Sequence, residues 1–221
     1  MLVMQQVLRS WRHSPEKVLK TSPIIPVLVV DEVKDAIPLA RALLEGGISV
    51  LEITLRSSAA LEAIMTIRNE VPEAMVGAGT VLNPEDLYGV EKAGALFAIS
   101  PGITPGLLEA SFKASIPLIP GVSTVSELML GLEAGLQVFK FFPAEAAGGV
   151  RILSALKGPF PKVKFCPTGG INGENFLEYL ALDNVISVGG SWVAPREFIR
   201  RGRWGEISAM VKEALMVAGR G

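Results

Sequence analysis

The sequence predicts an α/β chain of the (β/α)8 TIM-barrel type, and three observations carry that expectation. Short β-rich segments recur about every 20–26 residues, separated by amphipathic stretches rich in Ala, Leu, Glu and Lys. Eight such units fit into 221 residues, at the compact end of the barrel range, whereas a doubly wound sheet usually has fewer strands. Neither a G-x-G-x-x-G turn after the first strand nor a G-x-x-x-x-G-K-[ST] loop is present. No Pro/Ser-rich linker or abrupt charge change divides the chain. Residues 1–221 are therefore expected to form one domain, with residues 1–22 as an N-terminal helical or extended segment.

The strands are expected near Ile24–Val30, Val50–Leu55, Met75–Gly79, Phe97–Ser100, Pro117–Pro120, Val138–Phe141, Val163–Thr168 and Val185–Gly189. Helices fit between them, over Val33–Glu45, Ala59–Glu70, Glu85–Ala93 and Val125–Glu133 among others. Asp31, Ser57-Ser58, Asn83 and Ser123-Thr124 stand ahead of these as natural N-caps.

Composition narrows the function classes. With 49% hydrophobic and 19% charged residues the chain can bury a substantial core, and 21 basic against 22 acidic residues leave a net charge of −1. No global field attracts nucleic acid or an anionic membrane, so any anionic ligand must be held locally. The single cysteine, Cys166, excludes an internal disulfide or a Cys-cluster zinc site and reads as a core thiol in a reducing cytoplasm. The single histidine, His13, lies in a polar stretch, which leaves no usual Ser-His-Asp triad and disfavours a metal or other cofactor. The first dozen residues hold Arg9 and Arg12 without an apolar signal core, and no ~20-residue apolar span is present, so no membrane partner is expected. A mean hydropathy of +0.42 is high for a monomer and fits a covered subunit interface.

Lys140 is the most informative position. It lies inside Val138-Phe139-Lys140-Phe141-Phe142-Pro143, where an ammonium is costly to bury unless it is used. Burial pulls a lysine pKa from about 10.4 toward the ~7–8 at which a neutral amine attacks a carbonyl to form a Schiff base. A strand-end lysine that snorkels to water is the alternative.

Leu51-Glu52-Ile53-Thr54-Leu55-Arg56 alternates strictly, although strands of a parallel barrel should read as nearly continuous apolar runs. Glu52, Thr54 and Arg56 share one face, and an edge strand with a solvated side is disfavoured because barrels have no edges. A carboxylate and a guanidinium pointing inward suit a general base and a clamp for a substrate carboxylate. Thr168-Gly169-Gly170 and Gly189-Gly190-Ser191 follow the seventh and eighth strands, where loops feeding helix N-termini present N–H groups to a phosphate. An ordinary turn explains either pair alone. Gly77-Ala78-Gly79-Thr80 ends the third strand, as a simple turn or as a close approach to ligand with the Thr80 hydroxyl available.

These segments, together with Ile99-Ser100-Pro101-Gly102, Phe139–Glu145 and Cys166-Pro167-Thr168-Gly169-Gly170-Ile171, resemble the 2-keto-3-deoxy-6-phosphogluconate (KDPG) aldolase / 4-hydroxy-2-oxoglutarate (KHG) aldolase family from about Ser14 to near the C-terminus. The resemblance implies a homotrimeric class I aldolase barrel without metal. Such an enzyme would cleave 2-dehydro-3-deoxy-6-phosphogluconate to pyruvate and glyceraldehyde 3-phosphate, and the same resemblance admits 4-hydroxy-2-oxoglutarate, cleaved to pyruvate and glyoxylate, as a further substrate. It places the Schiff-base lysine at Lys140, the acid/base glutamate at Glu52 and the pyruvate-carboxylate contacts at Arg56 and Thr80. Phosphate contacts fall on Gly169, Gly170, Gly190 and Ser191, and pocket-lining positions on Pro101, Phe142 and Thr168. Two other readings remain: a phosphosugar isomerase or synthase in which Lys140 is only a point charge, and a non-catalytic phosphometabolite-binding barrel.

Overall fold

The computed structural model describes residues 11–219, and the first ten residues of the expected N-terminal segment lie outside that range. From Trp11 the chain packs on the body. Trp11 Nε1 donates to Ser111 O (3.0 Å), Arg12 N–H donates to Ser115 O (3.0 Å), and a short helix α1 (Pro15–Leu19) buries Val18 and Leu19 completely. Ser14 caps α1 by accepting from Lys17 N–H, with Pro15 at the position where its missing N–H costs nothing.

Parallel strands then alternate with helices. The order is β1 (Ile24–Leu28), α2 (Ala36–Gly46), β2 (Val50–Thr54), α3 (Ala60–Glu70), β3 (Met75–Gly79), α4 (Pro84–Lys92), β4 (Ala98–Ile99), α5 (Pro105–Lys113), β5 (Leu118–Ile119), β6 (Gly121–Val122) and α6 (Val125–Glu133). It continues with β7 (Val138–Phe141), α7 (Gly149–Leu156), β8 (Lys164–Pro167), α8 (Phe176–Leu180), β9 (Val188–Gly190), α9 (Arg196–Arg200) and α10 (Trp204–Val217). Six strands form a curled sheet in the order β5-β4-β3-β2-β1-β9, and β6-β7-β8 form a second one. Parallel bridges Phe165–Val185 and Thr168–Gly189 link β8 to the chain that enters and carries β9.

The expected strand at Pro117–Pro120 instead runs on to Val122 as two pieces. Pro120 lies between β5 and β6 and has no N–H for the ladder, while its carbonyl still accepts from Lys140 N–H (2.9 Å). The helix expected over Val33–Glu45 begins as a 3-10 turn at Val33–Asp35 and becomes α-helical from Ala36. Its C-terminus, Gly46, approaches α10 closely: a Cβ there would lie 2.6 Å from Val211 Cβ. Ser208 Oγ donates to Ala42 O (2.8 Å) across the same contact.

Two of the expected caps form. Asn83 accepts from Asp86 N–H (2.8 Å), and Thr124 forms a capping box with Glu127. Partial burial pushes the Glu127 carboxyl up, but hydrogen bonds from the Ser123 and Thr124 N–H and hydroxyl groups outweigh it and hold the carboxyl below the ordinary range. Ser57 and Asp31 do other work. Ser57 Oγ donates to Val30 O (2.5 Å), leaving α3 without a side-chain cap. Asp31 accepts from Arg196 Nε (2.9 Å) and Arg200 Nε (2.7 Å), tying the loop after β1 to the helix after β9. Hydrogen bonding to Arg196, then to Arg200, holds the Asp31 carboxyl at about 2.

A carboxylate whose native pKa lies below its unfolded value near 3.8 contributes stability above pH ~4, which is lost as pH falls toward 2. Asp31→Asn is expected to lose about 1–2 kcal/mol at pH 7, discounted for solvent screening, and to show a flatter stability profile between pH 4 and 2. Urea unfolding across that pH range measures it, and an unchanged slope would contradict the assignment.

Candidate active site

Every candidate site residue lines one cavity of about 300 Å³ at the C-terminal ends of the strands. Its floor is made by β2 and β7. Leu51 and Ile53 are fully buried, while Glu52 and Thr54, on the other face of β2, are buried against the cavity. Lys140 stands on β7 between Phe139 and Phe141, both packed into the core, so its own side chain faces the opposite way. Nζ of Lys140 and Oε1 of Glu52 are 3.3 Å apart, with side chains 8% and 2% exposed. Nζ also sits 5.3 Å from the centre of the Phe142 ring, a cation–π distance.

Small residues make this meeting fit. Glu52 pairs in register with Gly77, and Thr54 with Gly79. A Cβ on Gly79 would lie 2.7 Å from Glu52 Cγ and overlap the carboxylate. On the other side, Gly121 pairs with Lys140, and a Cβ there would collide with the Pro101 carbonyl. The glycine therefore lets Pro101 reach the cavity wall. Gly79 thus serves as more than the turn that also explained it from sequence.

Arg56 and Thr80 form the next layer. Arg56 lies just past the end of β2, and its Nε donates to Thr54 Oγ1 (3.1 Å), whose hydroxyl donates in turn to Leu28 O (2.7 Å). From the sequence Thr54 shares a face with Glu52 and Arg56 but has no task of its own; a hydroxyl on that face of a parallel strand was the available signal. Thr80 has φ +60°, a left-handed conformation that a β-branched residue adopts at a cost of about 1–3 kcal/mol.

The glycine pairs form the far wall with Thr168 and Ser191. They do not feed helix N-termini directly, because α8 starts only at Phe176 and α9 at Arg196. Loop N–H groups replace helix ends here. Gly169 and Gly170 adopt φ +101° and +80°; Gly169 O accepts from Glu145 N–H (3.1 Å) and Gly170 O from Asn175 Nδ2 (3.1 Å). Among the described residues their own N–H groups have no protein acceptor, which suits an anion. A Cβ on Gly189 would overlap Thr168 Oγ1, and one on Gly190 the Trp192 ring, so both glycines are required by packing.

Beneath the floor, Cys166 pairs with Lys140 in register and is buried, which pushes its thiol up to about 11 and leaves it a protonated core group. Among the described residues no group of His, Cys, Asp and Glu side chains is placed to hold a metal ion, and no helix is long and apolar enough to cross a membrane.

A family model for KDPG and KHG aldolase matches residues 16–210. The chain belongs to that family. It is 54% identical over 208 residues to the KHG/KDPG aldolase of Escherichia coli K12, covering 94% of this chain and 98% of the relative. A KDPG aldolase structure from Legionella pneumophila, with pyruvate captured at low pH as a covalent carbinolamine intermediate, matches with a TM-score of 0.91 and 53% identity over 92% of this chain and 99% of that one. The 2-keto-3-deoxy-6-phosphogluconate aldolase of Zymomonas mobilis with 3-phosphoglycerate matches with a TM-score of 0.83 and 46% identity, over 89% and 92%.

The Arg56–Thr54–Leu28 chain predicts a stability effect. Thr54→Val keeps the shape but leaves the buried Leu28 carbonyl without its donor and Arg56 Nε without its acceptor, so a loss of about 1–3 kcal/mol is expected in urea unfolding. Thr54→Ser should keep most of it. Equal stability of all three proteins would show that the hydroxyl carries nothing.

Proposed function

We propose that the protein is a class I aldolase that cleaves 2-dehydro-3-deoxy-6-phosphogluconate to pyruvate and glyceraldehyde 3-phosphate, and 4-hydroxy-2-oxoglutarate to pyruvate and glyoxylate. The observation that carries this is the buried Lys140–Glu52 pair at the cavity floor. A buried ion pair is a poor source of stability, since its desolvation penalty can exceed its Coulombic gain. Its presence in a cavity is explained by chemistry.

Nucleophilic attack begins with the free amine of Lys140, and Glu52 at 3.3 Å is placed to take the proton that the ammonium must give up. The amine adds to the C2 ketone; Glu52 returns its proton to the carbinolamine hydroxyl, which leaves as water, so a protonated imine remains as electron sink and Glu52 is again a carboxylate. Glu52, directly or through a water, removes the C4 hydroxyl proton; the C3–C4 bond breaks and its electrons form an enamine. The aldehyde leaves, a proton returns to C3, and hydrolysis of the imine frees pyruvate. This route needs no metal and no other cofactor. Arg56, held by Thr54, meets the substrate carboxylate together with Thr80. Gly169, Gly170, Gly190 and the exposed hydroxyl of Ser191 receive the phosphate, while Pro101, Phe142 and Thr168 shape the wall. The carbinolamine and 3-phosphoglycerate named for the two relatives fit this division of the cavity.

The fold we infer for the working protein is one closed (β/α)8 barrel in one domain. Its support is the single interrupted strand β5–β6 between the two sheets and the bridges from β8 toward β9 at the other seam. A homotrimer in the cytoplasm completes the reading. Exposed Leu61, Met65, Leu82, Tyr88, Val125 and Met129 supply apolar surface for subunit contact, and the buried, protonated Cys166 suits a reducing compartment.

Pyruvate with borohydride should add a covalent mass that peptide mapping places on Lys140; a label on Lys113 or Lys164, or none, would sink the imine assignment and favour an isomerase, a synthase or a binding barrel. Glu52→Gln keeps the shape and removes the base, so trapping should persist while cleavage drops about 10²–10⁴-fold. Near-normal cleavage would make Glu52 structural. Ser191→Ala should lower kcat/KM about ten- to a hundredfold for the phosphorylated substrate, with a much smaller loss for 4-hydroxy-2-oxoglutarate. Equal losses would remove Ser191 from the phosphate site.

A further inference from the structure

One polar contact lies directly behind the glycine wall and takes no part in the steps above. Tyr179 on α8 is 0% exposed, and its phenolic O–H donates to Glu145 Oε1. Burial first, and the Glu145 carboxylate second, hold the Tyr179 pKa well above the ordinary range, so the hydroxyl keeps its proton. Glu145 lies on the loop that leaves β7 just beyond Lys140 and Phe142. That loop is laced to the one after β8: Ala144 N–H donates to Thr168 O (2.8 Å) and Glu145 N–H to Gly169 O (3.1 Å). Gly170 rests on the Glu145 side chain, since a Cβ there would lie 2.5 Å from Glu145 Cγ and 2.6 Å from its Cβ. Gly149, at the start of α7, closes over the contact from the other side: its Cβ would lie 3.1 Å from Tyr179 Oη and 3.4 Å from Glu145 Oε1.

We propose that the Tyr179–Glu145 hydrogen bond is a brace that fixes the Gly169–Gly170 loop relative to Lys140, and so sets the preference for phosphorylated over non-phosphorylated keto acids. Neither residue lines the cavity; both are positioning residues, and the inference rests on the phosphate assignment made above. The physical reason is that one substrate must be held at two points. Its ketone is fixed by attack from Lys140, so its phosphate meets the Gly169 and Gly170 N–H groups only if the loop stands at the right distance. A shift of about 1 Å there can cost up to about a hundredfold in rate. A substrate without a phosphate does not register the loop.

Steady-state kinetics on both substrates test this. Tyr179→Phe keeps the ring in the core and removes only the donor. Its KM for 2-dehydro-3-deoxy-6-phosphogluconate is expected to rise about tenfold, with kcat/KM for 4-hydroxy-2-oxoglutarate and borohydride trapping of pyruvate within about twofold of wild type. Inorganic phosphate, used as a competitive inhibitor of 4-hydroxy-2-oxoglutarate cleavage, should weaken by a similar factor. Glu145→Leu should match Tyr179→Phe, Glu145→Gln, which retains an acceptor oxygen, should recover most of the selectivity, and the double variant should be no worse than either single one. Equal losses on both substrates, unchanged selectivity, or additive losses in the double variant would overturn the brace. If Ser191→Ala loses selectivity and Tyr179→Phe and Glu145→Leu do not, the brace alone falls. If none of the three alters selectivity and inorganic phosphate does not inhibit the wild type, the phosphate site itself is misplaced.

Discussion

The Lys140–Glu52 pair constrains the rest of the molecule. Two oppositely charged groups can be taken from water only if they meet closely and are enclosed, and here they come from different sheets, Glu52 from β2 and Lys140 from β7. Their 3.3 Å approach requires the two sheets to curve toward each other. It also requires space on the strands alongside, and Gly79 and Gly121 provide it at the positions where a single methyl group would strike the carboxylate or the Pro101 carbonyl. The pair thus dictates residue size on β3 and β6 as firmly as it dictates chemistry on β2 and β7.

Around that floor the site is stiffened by hydrogen bonds that leave few polar groups free to rearrange. Thr54 anchors Arg56 to the β1 carbonyl of Leu28, Asp31 anchors the loop after β1 to α9, and the loops after β7 and β8 are laced through Ala144 and Glu145. Each of these bonds joins neighbouring strands or the segments that leave them, so the rim of the cavity is held as a unit. Among the described residues the N–H groups of Gly169 and Gly170 in the glycine wall have no protein acceptor, a pattern that suits a locally held anion in a chain of net charge −1.

Some backbone cost accompanies this arrangement. Thr80 occupies a left-handed conformation unusual for a β-branched residue at the cavity edge, and Gly169 and Gly170 take conformations that other residues adopt poorly. The packed interior on the other face of each strand, with Phe139, Phe141 and Phe165 wholly buried, supplies the stability that allows it.

The sequence by itself determined the alternation of strands and helices, because a parallel strand covered by helices reads as a short apolar run whatever its partners are. It also marked Lys140, Glu52 and the two glycine pairs, since an ion inside an apolar strand and paired glycines at strand ends are anomalies local to the chain. Tertiary structure alone decided what those anomalies share. Distance between residues 88 positions apart, such as Glu52 and Lys140, depends on sheet curvature and on which glycines yield space, and no local pattern encodes it. The same holds where a polar residue had two plausible uses: Asp31 and Ser57 stand in N-cap positions by sequence, but a guanidinium pair and a free carbonyl brought close by folding compete for them and win. Thr54 and the Tyr179–Glu145 contact were silent for the same reason, because a threonine in a strand and a tyrosine in a helix are ordinary until the partner across the fold is known.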